Sequence, residues 1–176
     1  MLLERIVAGD RDAFRALYLV YHKRLGRFLL RFLRRHDLVE EVINDTLYAV
    51  WCKAREFRGE SRLSTWIFGI AYRKAMKAVR KDSREPRGGE ADDPPPLTTQ
   101  DPSERQRELR ESLDRALATL PPPQRMVIEL AYFVGHSCEE IAAITSTPVN
   151  TIKTRMFHAR ERLRGLLPEW REGDQR

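Results

Sequence analysis

The stretch HSCEEIAAITSTPVNTIKTRMFHARERLRGLL, residues 136–167, has the layout of a helix-turn-helix. Ser137 is followed three residues later by Glu140, and this spacing is typical of a capping box at the start of a helix. A tight turn is predicted over residues 146–150, where Asn150 either takes a left-handed conformation or caps the helix that follows. Two short helices joined in this way form a motif that inserts into the major groove of DNA.

The second helix of the motif, predicted from Thr151, has an apolar side and a polar side. Ile152, Met156 and Leu163 share the apolar side, which must pack against the rest of the domain. The opposite side is the one that a recognition helix presents to the major groove. The side chains on it are Thr151, Lys153, Thr154, Arg155 and His158.

The rest of the chain also has helical periodicity, with apolar residues at steps of three and four. No long stretch alternates Val, Ile and Thr as a β-strand would. These patterns predict an all-α fold. The helices predicted ahead of the motif cover residues 12–35, 38–55, 61–81, 103–120 and 124–134, with Ser61 or Ser64 as N-cap of the third and Gly135 ending the fifth.

Charge is unevenly distributed along the 176 residues, which hold 32 Lys and Arg against 26 Asp and Glu for a net charge of +6. Residues 1–81 carry a net charge of +9, residues 82–111 of −4 and residues 112–176 of +1. The middle segment contains a Gly pair and a triple Pro, which predicts a flexible acidic linker over residues 82–108, between small helical domains at 1–81 and 109–176. This linker is either a solvated spacer or a segment that occupies basic surfaces of the same chain.

The predicted third helix carries a cationic stripe, and no acidic residue lies between Ser61 and Lys81. Aromatic residues lie in and beside this helix, and Trp66 and Tyr72 have polar or cationic neighbours. A single nucleic-acid strand presents bases and phosphates together, so a site that binds it needs both rings and cations. The alternative is that the aromatic residues belong to the core. The stripe consists of Arg73, Lys74, Lys77, Arg80 and Lys81.

Composition argues against catalytic, metal or cofactor chemistry. Cys52 and Cys138 are the only cysteines and form no CxxC motif, which excludes a disulfide scaffold and a four-cysteine zinc site. The sequence has no nucleophile elbow, phosphate loop or catalytic carboxylate pair. The N-terminus lacks the features of a signal peptide and no stretch approaches 18 apolar residues, so we expect a soluble intracellular protein that needs no cofactor.

Three segments of the chain carry recognisable motifs in a fixed order. They are DLVEEVINDTLYAVW at residues 37–51, FRGESRLSTWIFGIAYRKAMKAVRK at 57–81 and LPPPQRMVIELAYFVGHSCEEIAAITSTPVNTIKTRMFHARERL at 120–163. Together they resemble the extracytoplasmic-function group of RNA polymerase sigma factors in the sigma-70 superfamily. The resemblance implies a bacterial transcription initiation factor that is not an enzyme and has two helical domains, region 2 and region 4.

The same resemblance implies partners and a location. The partners are promoter DNA, core RNA polymerase through its largest and second-largest subunits, and an anti-sigma factor that is often membrane-bound. The implied location is the cytoplasm, where an anti-sigma factor can hold the protein at the inner face of the membrane without the protein inserting into it. The resemblance also implies a role in stress responses.

The resemblance also assigns roles to single residues. The polymerase-binding surface consists of Glu41, Asn44, Asp45 and Trp51. The part that melts the −10 element and captures an unpaired base consists of Arg62, Ser64, Thr65, Trp66, Tyr72, Arg73, Lys74 and Lys77. The part that binds the −35 element consists of Thr151, Lys153, Thr154, Arg155, Phe157 and His158.

Two other classes of function fit the sequence less well. A repressor-type protein would use only the helix-turn-helix, which leaves the cationic stripe without a role, and it would need a dimer interface that the sequence does not indicate. A nucleic-acid enzyme would need catalytic residues, which the sequence lacks.

Overall fold

The structure, a computed structural model, describes residues 2–33, 35–82 and 104–166, and within these ranges the regular secondary structure is entirely helical. This confirms the predicted all-α fold. The elements are α1 (Leu2–Val7), α2 (Arg11–Leu29), α3 (His36–Lys53), a 3₁₀ turn (Ala54–Glu56), α4 (Leu63–Asp82), α5 (Glu104–Ala118), α6 (Pro122–Ile128), a π-helical continuation of it (Glu129–Val134), α7 (Cys138–Thr145) and α8 (Val149–Leu166).

The chain divides into two compact units. One is built on α1–α4, and the other contains α5, α6, α8 and most of α7. Helix α5 begins at Glu104, so the last residues of the 82–108 interval are helical. The remainder of the predicted linker, residues 83–103, lies outside the described residues, and the exact domain limits stay a prediction.

The first unit is organised around α3, which packs against both α2 and α4. Leu17 and Leu25 of α2, Ile43 and Leu47 of α3 and Phe68 of α4 are almost completely buried. Burying each side chain of this size contributes about 1.5–3 kcal/mol to the stability of the fold.

The N-terminus of α2 is capped by Asp10. Its carboxylate accepts hydrogen bonds from the backbone N–H groups of Asp12 (2.9 Å) and Ala13 (3.0 Å). The hydrogen bond from Ala13, followed by that from the Arg5 side chain, lowers the pKa of Asp10 below its usual value. Helix α2 ends at Leu29 rather than at residue 35, and α3 begins soon afterwards at His36.

The start of α4 differs from the prediction. The helix begins at Leu63, so Ser64 lies in its first turn and Arg62 occupies the N-cap position. Ser61 donates its hydroxyl to the Arg62 carbonyl oxygen (3.4 Å) and does not cap the helix. The prediction of a serine cap was therefore wrong, because the chain enters the helix between the two candidate serines.

Helices α7 and α8 form the predicted helix-turn-helix. The Glu140 N–H donates to the Ser137 hydroxyl oxygen (3.2 Å), and the Ser137 N–H donates to the Glu140 carboxylate (2.9 Å). This reciprocal pair is the predicted capping box. Gly135 precedes it with a φ of 85°, a left-handed conformation that ends the π-helical turn as predicted.

The turn between α7 and α8 corrects one detail of the prediction. Ser146, not Asn150, has the left-handed backbone conformation, with a φ of 52°. Helix α8 begins at Val149, two residues earlier than predicted, and the Pro148 carbonyl accepts from the Ile152 N–H (3.1 Å). Proline suits the start of a helix because its fixed φ is compatible with one and it has no N–H to satisfy. Asn150 consequently lies inside the first turn of α8.

We expect Ser137→Ala to destabilise α7, because the Glu140 N–H at its start would lose the hydroxyl oxygen that accepts its hydrogen bond. Losing such a cap costs about 0.5–2 kcal/mol, which would speed local amide hydrogen exchange in α7 by about 2- to 30-fold. Hydrogen–deuterium exchange measured by mass spectrometry on the full chain tests this. The control is Ser61→Ala, which should leave α7 unchanged, and unaltered exchange in Ser137→Ala would contradict the capping role.

Candidate functional site

Helix α4 presents the predicted cationic stripe to solvent. Arg73, Lys77, Arg80 and Lys81 are exposed, and none forms an ion pair with a carboxylate of the described residues. Lys74 is different, since its Nζ lies 3.0 Å from the Asp45 carboxylate on α3. The stripe therefore has four cations available to phosphates and a fifth that is held by an acidic partner.

The aromatic residues near the start of α4 have two kinds of environment. Trp66 is half-buried beside Phe57, with ring centroids 5.2 Å apart, and Tyr72 is half-buried and directly precedes Arg73, the first exposed cation of the stripe. Phe68 is completely buried in the core, which matches the alternative interpretation of the aromatic residues. Trp66 and Tyr72 thus keep part of their rings accessible next to cationic side chains.

The remaining residues assigned to the −10 element differ in their exposure to solvent. Arg62 is exposed and Ser64 is half-buried, whereas Thr65 is only 3% exposed. The side chain of Thr65 does not lie on the surface in this structure, so any effect of Thr65 on a ligand would act through the position of the first turn of α4.

A polar surface on α3 contains three of the four residues assigned to polymerase binding, and Glu41, Asn44 and Asp45 are all exposed. The fourth, Trp51, is half-buried and packs edge-to-face against Phe14, with ring centroids 4.9 Å apart. Trp51 therefore supports the end of this surface by packing and adds less exposed area to it than the other three residues do.

Four further residues lie on or beside the same surface: the sequence places Glu40 and Tyr48 on the polar face of α3 without assigning them a binding role, and sequence reasoning missed Tyr18 and His22 of α2. Glu40 pairs with His22 of α2, with Oε2 and Nε2 3.0 Å apart, and Tyr18 donates its hydroxyl to Asn44 Oδ1 (2.9 Å). Tyr48 is 69% exposed, and a hydrogen bond with the Cys52 side chain raises its pKa. The available signal was the spacing of Tyr18 and His22, which places both on one face of α2.

Helix α8 separates its two sides as predicted. Ile152, Met156, Ala159 and Leu163 are buried. The outward side carries Lys153, Thr154, Phe157 and His158, which are exposed, and Thr151 and Arg155, which are half-buried. The Phe157 side chain is 61% exposed, so an aromatic ring stands in the middle of the predicted DNA-binding side.

Some polar groups of α8 already have partners within the second unit. Lys153 Nζ lies 4.0 Å from the Glu139 carboxylate, and the Thr154 hydroxyl donates to the Asn150 carbonyl oxygen (2.9 Å). Farther along, Arg160 donates its Nε–H to the Tyr132 hydroxyl (2.8 Å) and lies over the Tyr132 ring. The backbone N–H of Glu139 is the main cause that lowers the pKa of that carboxyl, and the Ser137 side chain adds to it.

Two negative observations apply to the ranges that the structure covers. No helix in them is both long enough and apolar enough to cross a membrane. No group of three or more His, Cys, Asp and Glu side chains in them is placed to hold a metal ion.

Comparison with known families matches both units. The profile described as Sigma-70 region 2 matches residues 17–85, and the profile described as Sigma-70, region 4 matches residues 110–163. The chain is 30% identical to proteins described as the ECF RNA polymerase sigma-E factor from Escherichia coli and from Salmonella typhimurium, with 92% of this chain and 90% of each relative covered. A protein of the same description from Haemophilus influenzae is 29% identical, with 91% and 90% covered.

Solved structures also resemble the chain. The sigma factor RpoE of Bartonella quintana, solved in complex with the anti-sigma factor NepR, is 29% identical with a TM-score of 0.71, covering 88% of this chain and 96% of that one. CnrH, solved in complex with the cytosolic domain of CnrY, is 23% identical with a TM-score of 0.69, covering 96% of each chain, and supports the fold alone.

We expect the Asp45–Lys74 pair to contribute little to folding stability, because its side chains are 60% and 32% exposed to screening solvent. A double-mutant cycle with Asp45→Asn and Lys74→Met should give a coupling free energy of about 0.2–1 kcal/mol. Urea denaturation followed by tryptophan fluorescence measures it. The more exposed Lys53–Glu56 pair, 3.9 Å apart, is the matched control and should couple more weakly. A coupling above about 2 kcal/mol would mean that the pair behaves as a buried one.

Proposed function

The chain belongs to the extracytoplasmic-function group of sigma-70 factors, and we propose that its two units contact different parts of a promoter while α3 docks on RNA polymerase. As a sigma factor, it is a non-enzymatic transcription initiation factor that binds core RNA polymerase and directs it to specific promoters. The match to both region 2 and region 4 is incompatible with a repressor that uses only a helix-turn-helix.

The first unit is proposed to bind the melted −10 element. The observation that carries this is the stripe of α4, where Arg73, Lys77, Arg80 and Lys81 are exposed on the same helix as the half-buried Trp66 and Tyr72. Extruding a base costs a few kcal/mol, and stacking the unpaired base on an aromatic ring stabilises the extruded state by about 1–3 kcal/mol. Rings and cations placed together favour the opened strand over the duplex, so binding energy alone can drive melting.

The polar surface of α3 is proposed to dock on the largest polymerase subunit. Two exposed carboxylates, Glu41 and Asp45, lie on either side of Asn44 along one exposed strip of the helix. Charged groups on a rigid, partly exposed surface suit a protein interface in which basic side chains of the partner complete the pairs. The second-largest subunit is a further proposed partner.

The outward side of α8 is proposed to bind the −35 element. Thr151, Arg155 and Phe157 lie on the side of α8 that a recognition helix turns toward base edges, and Lys153 can exchange Glu139 for a phosphate. Because several polar groups here have internal partners, this unit is expected to depend more on shape and contact than on charge.

Regulation by an anti-sigma factor follows from the same comparisons. The Escherichia coli relative, which is matched along 90% of its length, is described as a sigma-E factor, and the Bartonella RpoE structure holds an anti-sigma factor. We therefore infer that an anti-sigma factor keeps this protein from RNA polymerase in the cytoplasm until a stress signal releases it, with a membrane-bound anti-sigma factor as one arrangement.

We expect Glu41→Arg to weaken binding to core RNA polymerase by more than tenfold, because the substitution places a cation where the partner is proposed to supply one. Fluorescence anisotropy with the labelled full chain measures the affinity. Glu111→Arg, on an exposed position of α5 in the other unit, makes the same charge change and should have little effect. Unchanged affinity of a folded Glu41→Arg variant would reject α3 as the docking surface.

We expect Arg73→Gln with Lys77→Gln to impair promoter opening by more than tenfold while polymerase affinity stays within about twofold of normal. Removing two phosphate contacts to a single strand should also lower the salt-dependence slope by about 1.4. Permanganate footprinting of the full holoenzyme measures opening.

The matched control for this pair is Lys23→Gln with Arg27→Gln, two exposed cations of α2 with the same four-residue spacing. Equal loss of opening and of polymerase affinity in the Arg73 and Lys77 variant would show that the stripe has another role.

A further inference from the structure

An aromatic row on α2 runs along the edge of the α3 polar surface. Phe14, Tyr18 and His22 follow one another at intervals of four residues, and all three are half-buried. Their ring centroids are 6.4 Å apart between Phe14 and Tyr18 and 5.4 Å apart between Tyr18 and His22. The row is anchored at one end by the edge-to-face contact between Phe14 and Trp51.

Two members of this row bind polar side chains of α3. Tyr18 donates its hydroxyl to Asn44 Oδ1, and His22 Nε2 lies 3.0 Å from Glu40 Oε2. Glu40 and Asn44 are themselves one helical turn apart, so two consecutive turns of α3 are each tied to α2 through one side chain. Asn44 and Glu40 are both exposed, and without these bonds their side chains would exchange freely between rotamers in water.

The hydrogen bond to Asn44 also determines which hydrogen-bond donors and acceptors the surface presents to a partner. Because Asn44 Oδ1 accepts from Tyr18, the amide nitrogen of the same side chain is left to donate. Glu40 has one oxygen held by His22, which leaves its other oxygen to accept. The surface therefore presents a donor at Asn44 between acceptors at Glu40, Glu41 and Asp45.

We infer that Tyr18 and His22 are positioning residues for polymerase docking: they hold Asn44 and Glu40 in the geometry that the polymerase binds. This inference rests on the proposed role of the α3 surface. The partner that fits the surface offers a carbonyl or carboxylate opposite Asn44 and basic side chains opposite the flanking carboxylates. Because these side chains are already fixed before binding, little of their conformational entropy is lost when the complex forms.

Tyr18→Phe tests the inference most directly, since it keeps the ring and removes only the hydroxyl. We expect the affinity for core RNA polymerase to fall by about three- to tenfold, the usual effect of losing one ordered side chain at an interface. Thermal denaturation should be nearly unchanged. Tyr21→Phe is the matched control, because Tyr21 lies on the same helix but is buried in the core, away from Asn44.

A double-mutant cycle separates positioning from packing. In the Asn44→Ala background, Tyr18→Phe should have no further effect on polymerase affinity, because the hydroxyl acts only through Asn44. An equal loss in both backgrounds, or no loss in Tyr18→Phe alone, would overturn the assignment of Tyr18.

His22 is tested by a pair of substitutions. His22→Gln keeps an N–H donor near the position of Nε2 and should retain most of the affinity, whereas His22→Phe keeps a ring without a donor and should lose about threefold or more. Equal affinities for the two variants would overturn the assignment of His22. Glu41→Arg distinguishes the two levels of failure: if it weakens docking while the Tyr18 and His22 variants do not, the docking surface stands and the positioning role fails.

Discussion

Helix α3 has to bury apolar side chains against α2 and α4 at the same time, and the rest of the first unit follows from this requirement. Val39, Ile43, Leu47 and Val50 are all nearly inaccessible to solvent, and even Thr46 is buried, with its hydroxyl donated to the Val42 carbonyl oxygen. Only one strip of the helix is left for polar residues. A surface built on such a strip is as rigid as the core beneath it, which suits a docking site.

The arrangement of the helices could be predicted from the sequence because it depends on a periodic signal. Apolar residues at steps of three and four mark the buried sides of α2, α3, α4 and α8, and the capping box of Ser137 and Glu140 marks the start of α7. The exact ends of the helices are harder to predict, because neighbouring residues compete for the capping positions. Pro148 moves the start of α8 ahead of Asn150, and neither Ser61 nor Ser64 caps α4.

The candidate site could be predicted only in part, for a different reason. Exposure of Glu41, Arg73 and Phe157 follows from the side of the helix on which each lies, and that is a local property. The bonds from Tyr18 to Asn44 and from Lys74 to Asp45 join residues 26 and 29 positions apart. Such pairs depend on how one helix is aligned against another, and no pattern within a single helix encodes that alignment.

The ion pair between Lys74 and Asp45 makes the two proposed binding surfaces of the first unit thermodynamically linked. A cationic group that binds Asp45 and a phosphate that binds Lys74 must each break the same contact, so whichever ligand arrives second no longer has to break it. Linkage of this kind is reciprocal, and an exposed ion pair limits it to about 1 kcal/mol, or roughly a fivefold gain in affinity. Under the proposed roles of Asp45 and Lys74, this single side-chain contact would make polymerase and promoter DNA cooperative ligands of one small helical unit.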